Sequence, residues 1–311
     1  MEWMDELRGA AILLVIAHHV LTIPAVLGGT SPSWQPVMDA LLPYRMPLML
    51  VLSGLLLSQS LRKGPRVYYG GKIRKVLWPY LLWIVLTALV LLRPDVLLSP
   101  WTWIGGAWHL WFLAVLLACY LVAPLTRWFP AWMWPVPMVV LAQSVDTGAF
   151  ERILWFGAFF FAGAALLPYR DRWQAVRPVA PALLGVGAVA AGVWIATGGA
   201  WEDQSPWAFL VSAAGILALV WIASRLPRMP LLATVGRQSI VYYLAHFPVI
   251  GVAYLVIGDT SWWVLGPLLA VVGYGVPWLM SRWVESPLFV LPVGRRAREG
   301  AHRPSASVSS R

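Results

Sequence analysis

Arg8 and His19 lie eleven residues apart in an apolar segment near the start of the chain. Eleven residues of α-helix turn through about 1100°, or about 20° past three full turns, so both side chains lie on one face. Along the helix axis they are about 16 Å apart. An imidazole can exchange a proton and a guanidinium can bind an anion. This face is a candidate site for proton-transfer chemistry, with a buried structural histidine as the alternative.

Three more ionisable residues occur in other apolar segments at compatible depths. His246 lies near the middle of one segment, Arg45 in the outer third of another, and His109 near the outer end of a third. Each of them alone could be a buried packing residue, but two histidines near mid-membrane below an arginine are difficult to explain by packing. No set of His, Cys or carboxylate residues has the spacing of a zinc site, so no metal is expected.

A basic cluster of Lys72, Arg74 and Lys75 precedes Pro79. Lys72 and Lys75 share a face if this segment is helical. Clustered cations at a membrane surface are suited to binding phosphates. The same charges could serve only to orient the protein in the membrane. The residues alone leave both interpretations open.

The elements that must position these residues are helices in a membrane. The chain has 311 residues, of which 60% are hydrophobic and only 12% are charged. A soluble domain has about a quarter charged residues, and the apolar blocks here have the length of about twenty residues that crosses a bilayer. Cys119 is the only cysteine, which excludes a disulfide scaffold. An all-α polytopic protein is predicted, with about ten transmembrane helices at 7–27, 37–61, 76–92, 106–127, 131–146, 152–169, 178–197, 206–224, 234–257 and 262–284.

The charges between these spans predict their orientation. Basic residues concentrate in alternate connections, which places both termini in the cytoplasm. Arg152 and Asp203 count in this scheme only as charges of the outer connections. The net charge of +10 is thus an orientation signal, and no motif indicates a nucleic-acid partner. Residues 1–291 are predicted to form one membrane domain and residues 292–311 a disordered basic tail. The tryptophans near span ends, Trp108 among them, are interpreted as an interfacial belt, with stacking on sugar rings as the alternative.

Several segments resemble the integral-membrane acyltransferase-3 family, in the family's order and over residues 2–288. That family has an Asp-x-Leu-Arg-Gly segment opening the first helix, with an arginine and a histidine at the spacing of Arg8 and His19. Its arginine-rich cytoplasmic motif has lysines here, Lys72 and Lys75, which keep the charge but lose the bidentate fork. The other matching segments are 45–48 leading to 52–54, 110–113, 236–239 through 243–246, and 284–287.

The resemblance implies an enzyme of the plasma membrane that transfers an acyl group, commonly acetyl, from cytoplasmic acyl-coenzyme A to a hydroxyl of a sugar or glycoconjugate. Acyl-coenzyme A would be a co-substrate, and no permanently bound cofactor is expected. It also makes His19 the expected catalytic residue. Acyl transfer needs a base and donors for the oxyanion, and Arg45, His246 and His109 are candidates for supporting the acceptor or the oxyanion. Arg8 and the basic cluster would hold the coenzyme A phosphates, since about 16 Å is comparable to a pantetheine arm.

A proton-coupled transporter or flippase of an anionic or glycolipid substrate is the alternative function. In that case the buried histidines would relay protons and Arg45 would bind the substrate. No inverted repeat relates the two halves of the sequence, which counts against a transporter. A membrane scaffold without enzymatic activity would leave the ionisable residues inside the spans unexplained.

Overall fold

The computed structural model describes residues 2–30, 32, 34–145 and 147–292, and this part of the chain is helical without β-strands. Residues 293–311, most of the predicted basic tail, lie outside the described residues. The α-helices, in chain order, are α1 (Glu2–Val26), α2 (Gln35–Asp39), α3 (Leu42–Leu55), α4 (Leu57–Leu61), α5 (Pro65–Lys72), α6 (Trp78–Val90), α7 (Pro100–Gly105), α8 (Trp111–Val122), α9 (Pro135–Ala142), α10 (Gly148–Leu166), α11 (Arg170–Ala175), α12 (Val179–Ala196), α13 (Pro206–Ala223), α14 (Pro230–Arg237), α15 (Ser239–Ile257) and α16 (Trp262–Met280).

Seven helical segments of the described chain are long and apolar enough to cross a membrane. The protein is therefore an all-α, multi-pass membrane protein, as predicted. The count of ten spans and the cytoplasmic location of both termini stay predictions. The seven segments are Glu2–Val26, Pro65–Val90, Gly148–Ala175, Val179–Ala196, Pro206–Ala223, Ser239–Ile257 and Trp262–Trp283.

Several predicted spans differ in the structure from single continuous helices. The span predicted at 37–61 is divided into α2, α3 and α4. Pro36 and Pro43 lie in the first turns of α2 and α3, where a missing N–H costs nothing. In the span predicted at 131–146, a 3₁₀ turn at Ala131–Met133 precedes the eight residues of α9, which cover about 12 Å of a hydrocarbon core of about 30 Å. The span predicted at 234–257 is also divided, because α14 ends at Arg237 and α15 begins at Ser239.

Helix α1 packs against α14 through two glycines. A Cβ atom at Gly9 would collide with the Leu232 carbonyl, and one at Gly236 would collide with the Asp5 carbonyl. Small residues at such a crossing let two helix backbones approach closely. Nearby, the buried Glu6 carboxylate accepts a hydrogen bond of 3.0 Å from the backbone N–H of Met229, directly before α14. These contacts hold the first half of α1 in place.

We expect Gly9→Ala to destabilise the protein by about 1–3 kcal/mol, because the added methyl group overpacks a backbone crossing. Thermal unfolding of the purified protein in detergent measures this as a lower Tm. Gly187→Ala is the matched control, since nothing lies within 4 Å of a Cβ atom there. Equal Tm values for the two variants would show that the crossing at Gly9 can open without cost.

Candidate active site

His19 and His246 come together where α1 packs against α15. The Nε2 atom of His246 lies 3.1 Å from Nδ1 of His19, although the two residues are 227 positions apart in the chain. Each ring also contacts the carbonyl one turn earlier in its own helix: His19 Nδ1 lies 3.0 Å from the Val15 oxygen, and His246 Nδ1 lies 2.9 Å from the Tyr242 oxygen. The pair is thus held by both helix backbones.

The carbonyl partners determine where the hydrogens of two neutral imidazoles must lie. A carbonyl oxygen only accepts, so Nδ1 carries the hydrogen in both rings. His246 Nε2 is then a lone pair, which accepts from His19 Nδ1–H while that hydrogen is shared with the Val15 oxygen. The remaining nitrogen, His19 Nε2, keeps a free lone pair. His246 is fully buried, whereas His19 is only partly buried and borders a cavity.

His109 is placed beside this pair by an irregular turn before α8. It lies in the 3₁₀ turn Trp108–Leu110, in which Trp108 has a positive φ of 47°, a conformation that side chains other than glycine adopt only at a cost. The Tyr243 hydroxyl donates to the His109 carbonyl, and the His109 ring stacks on the Phe247 ring with 4.7 Å between the ring centres. Neither ring nitrogen has a hydrogen-bond partner. A buried imidazole without partners can bind a substrate atom.

Arg45 is the buried cation of the site. Only 5% of its surface is exposed, and its Nε and Nη1 atoms have no hydrogen-bond partner. His18 lies within electrostatic range, as do the carboxylates of Asp39 and Asp203, but Arg45 forms no ion pair within the described residues. A buried guanidinium without an anion is costly. Its environment therefore favours an anionic or strongly polar ligand.

A cavity of about 380 Å³ joins these groups. His18, His19, His109 and Arg45 all border it. Its aromatic walls include Trp108, which the sequence assigns to the interfacial belt and which instead lines the cavity. The other aromatic residues of the walls are Trp111, Trp155, Phe156, Trp201 and Tyr243. The predicted candidates His19, Arg45 and His109 therefore share one cavity, and His246 contacts it through His19.

The sequence interpretation missed three polar residues of this cavity: Arg152, Asp203 and Gln204. The first two are interpreted there only as charges of outer connections. Arg152 lies with its guanidinium 5.4 Å from the centre of the Trp111 ring, a cation–π distance. Gln204 has a positive φ of 67°. Arg152 lies near the start of α10, and Asp203 and Gln204 lie between α12 and α13. All three are distant from α1 in the chain, so spacing along one helix could not have identified them.

The predicted phosphate-binding residues do not line the histidine cavity: Arg8 lies near the start of α1, and the basic cluster lies in α5 and the turn that follows it. Arg8 forms an ion pair with Asp5 at 3.2 Å and lies within electrostatic range of Tyr120. The Lys72 ammonium lies 3.4 Å from the centre of the Tyr120 ring and is half-buried. Arg8 and Lys72 thus approach the side chain of Tyr120, whose backbone carbonyl accepts a hydrogen bond of 2.8 Å from the Tyr68 hydroxyl.

Arg74 and Lys75 lie in a π-helical turn, Ile73–Leu77, between α5 and α6. Arg74 donates from Nε to the Leu291 carbonyl at 3.0 Å, and its own carbonyl accepts from the Leu291 N–H. Lys75 is exposed. The wider π turn changes the angular spacing of an α-helix, on which the expected common face of Lys72 and Lys75 depends. Arg74 therefore holds the segment after α16, while Lys72 is the member of the cluster that packs inside.

Among the described residues, no group of three or more His, Cys, Asp or Glu side chains is arranged to hold a metal ion. The four histidines of the site contact aromatic rings, carbonyls and each other instead. The imidazoles of the site can exchange a proton, and its cationic and neutral donors can form hydrogen bonds with a ligand.

A family model described as an acyltransferase domain matches residues 1–282. The chain belongs to the acyltransferase-3 family. It is an acyltransferase, as the resemblance predicts. No curated protein and no solved structure matches it.

The structure gives physical roles to several residues of the family-like segments in this acyltransferase. Gly9 and Gly236 meet at the α1–α14 crossing, and Gly54 approaches the Phe160 carbonyl of α10 too closely for a side chain. Ser53 donates to the Met49 carbonyl in α3. The three glycines therefore belong to the helix contacts that position α1 and α3, which carry His19 and Arg45.

Proposed function

We propose that this acyltransferase moves an acyl group, expected to be acetyl, from cytoplasmic acyl-coenzyme A to a hydroxyl of a sugar or glycoconjugate at the plasma membrane. The contact between His19 and His246 is the observation that carries the proposal. It leaves a lone pair on His19 Nε2 at the border of a polar and aromatic cavity. A positioned base of this kind is what an acceptor hydroxyl needs.

In the proposed reaction His19 Nε2 takes the proton of the acceptor hydroxyl as its oxygen attacks the thioester carbonyl. A C–O bond forms, the C–S bond breaks, and the proton passes from His19 to the coenzyme A thiolate. Acyl-coenzyme A enters as a co-substrate, and the scheme requires no permanently bound cofactor. His246 keeps the hydrogen of His19 on Nδ1 and orients the ring, as the third member of a catalytic triad does.

The developing oxyanion needs donors that are free before the reaction. Arg45 has unpartnered Nε and Nη1 atoms, and His109 has two unpartnered ring nitrogens, one of which carries a hydrogen when the ring is neutral. Preorganised donors in a site without bulk water are worth more than donors in solution. Arg45 and His109 are therefore proposed to support the oxyanion or the acceptor.

The walls of the cavity support a sugar acceptor. Trp108, Trp111 and Trp155 present aromatic surface, while Asp203 and Gln204 supply polar groups for hydroxyls. Binding sites of this type combine apolar walls with a few polar groups that fix orientation. A sugar ring has one apolar face and a rim of hydroxyls, which fits this combination.

On the donor side, Arg8 and Lys72 are proposed to hold the coenzyme A phosphates, with Arg74 and Lys75 as further cations of the same region. Arg8 and His19 both belong to α1, about 16 Å apart along its axis. Phosphates near Arg8 would therefore leave the thioester within reach of His19.

The direct experiment measures thiol release from labelled acyl-coenzyme A by the purified protein, with and without a sugar acceptor. The proposal expects thiol release that depends on the acceptor and label that appears on the acceptor hydroxyl. Transport of an anionic or glycolipid substrate across vesicles without thiol release would overturn it in favour of a transporter.

We expect Lys72→Gln to raise the KM for acyl-coenzyme A about tenfold while kcat changes little, because phosphates are bound equally in the ground and transition states. Steady-state kinetics with varied donor measure this. Arg66→Gln is a control on α5, since Arg66 is exposed and its side chain is about 120° away from that of Lys72 around the helix. With acyl-dephospho-coenzyme A the difference from wild type should shrink if Lys72 contacts the 3′-phosphate. An unchanged KM would leave Lys72 as an orientation signal only.

A further inference from the structure

A second, larger cavity lies beside the histidine cavity. It has a volume of about 750 Å³ and is bounded by α1, α3, α12 and α13, within the range of about 300–1,000 Å³ found for ligand pockets. Small residues form much of its wall, among them Gly185, Ala188 and Ala218. Small residues in membrane helices normally let helices pack closely. Here they border open apolar space between α12 and the rest of the bundle.

The two cavities meet along one face of α1. Leu7, Ala11, Leu14 and His18 follow at spacings of four, three and four residues, which is the repeat of one helix face. The first three residues line the apolar cavity, whereas His18 lines the histidine cavity. Arg45 lines both. A ligand in the apolar cavity would therefore pass Arg45 and His18 to reach His19.

The junction is cationic and lacks partners. Only 5% of the surface of Arg45 is exposed, and its Nε and Nη1 atoms make no hydrogen bond. His18 Nδ1 is also buried without a partner. Asp39 and Asp203 act on Arg45 only over a distance. An unpaired guanidinium at membrane depth indicates a site for an anion.

We propose that the apolar cavity binds the hydrocarbon tail of a lipid phosphate that carries the acceptor, with its phosphate at Arg45 and its sugar in the histidine cavity. This inference rests on the proposed acyl transfer and names the class of its acceptor. The acyl chain of the donor is a poorer occupant, because a thioester has no anion to pair with Arg45. A neutral lipid would likewise leave that guanidinium unpaired.

The binding experiment uses the full chain in phosphatidylcholine nanodiscs and a prenyl phosphate with a photoreactive diazirine in its tail. We expect cross-links in α12 and α13. Unlabelled prenyl phosphate should prevent this labelling at a concentration at least tenfold lower than the concentration of prenol of the same length that is needed. If prenol and prenyl phosphate prevented labelling at equal concentrations, the anion site would be overturned, and the cavity would bind apolar chains only.

Gly185→Leu tests the cavity itself. A Cβ atom there meets only the Ala218 methyl group, at 3.7 Å, so a leucine fits the helix and occupies cavity space. We expect at least tenfold weaker labelling. Gly187→Leu is the matched control, because Gly187 is exposed on the same helix with nothing within 4 Å of its Cβ position, and its labelling should equal wild type. Labelling of Gly185→Leu at the wild-type level in monodisperse protein would refute the tail site.

The labelling does not depend on turnover, so the two proposals can fail separately. If wild-type protein is labelled as expected but releases no thiol from acyl-coenzyme A, the lipid-phosphate site is supported and the proposed acyl transfer is wrong. If the protein transfers the acyl group to a water-soluble sugar and Gly185→Leu does not change the labelling, the acyl transfer is supported and the tail site is wrong.

Discussion

His19→Ala is expected to lower kcat for acyl transfer by about 10²–10⁴-fold, the usual contribution of a positioned general base. The reason is that His19 Nε2 is the lone pair that the His246 contact leaves free at the cavity. The protein should still insert and remain monodisperse, because His19 is only partly buried. The measurement is thiol release per folded enzyme in detergent.

Two further variants of α1 separate the loss of a base from damage to the helix. His19→Asn keeps a short polar side chain that can bond to the Val15 carbonyl but supplies no base, so it should be as inactive as His19→Ala. Thr22→Val removes the hydroxyl that donates to the His18 carbonyl and leaves the site intact, so its rate should lie within about twofold of wild type. Near-normal acyl transfer by His19→Ala would end the catalytic assignment.

His246→Ala is expected to lower kcat by about 10²-fold and to leave the KM values nearly unchanged. His246 is fully buried and acts through His19, as a positioning residue, by accepting the hydrogen on His19 Nδ1. Loss of the partner that orients a functional histidine typically costs 10–100-fold, and loss of the correct tautomer can cost more. Steady-state kinetics that resolve kcat from KM test this.

His246→Gln distinguishes positioning from simple packing. The glutamine side-chain oxygen can accept from His19 Nδ1–H, so this variant should recover at least tenfold over His246→Ala. His246→Leu fills similar volume without an acceptor and should not recover. A His246→Leu enzyme as active as His246→Gln would show that only the bulk of the ring matters. Folded amounts of all three variants must be compared, because a buried residue also contributes to packing.

The sequence by itself determined the class of the protein and the content of its first helix. The chain has too few charges for a water-facing surface, and its apolar blocks have the length of membrane spans. Within a bilayer, a helix satisfies all its backbone hydrogen-bonding groups inside a single segment, so these blocks are expected to be helices. The family segments, from Arg8 onward, determined that the chain is an acyltransferase. Arg8 and His19 belong to one helix, so their separation follows from helix geometry alone. The helices and their faces follow from residues that are near each other in the chain.

Only the tertiary structure decided which residues meet His19. The contact with His246 joins helices 227 residues apart, and it depends on the packing of α1 between α3, α14 and α15. Asp203 and Trp108 reach the cavity from irregular segments whose positions follow from no periodic pattern, and Arg152 reaches it because α10 packs beside the site. The division of the predicted spans around α2–α4 and α9 also depends on prolines and neighbouring helices, which override hydropathy. Local sequence sets the helix and its faces, but the free energy of packing between distant helices selects the partners of each face.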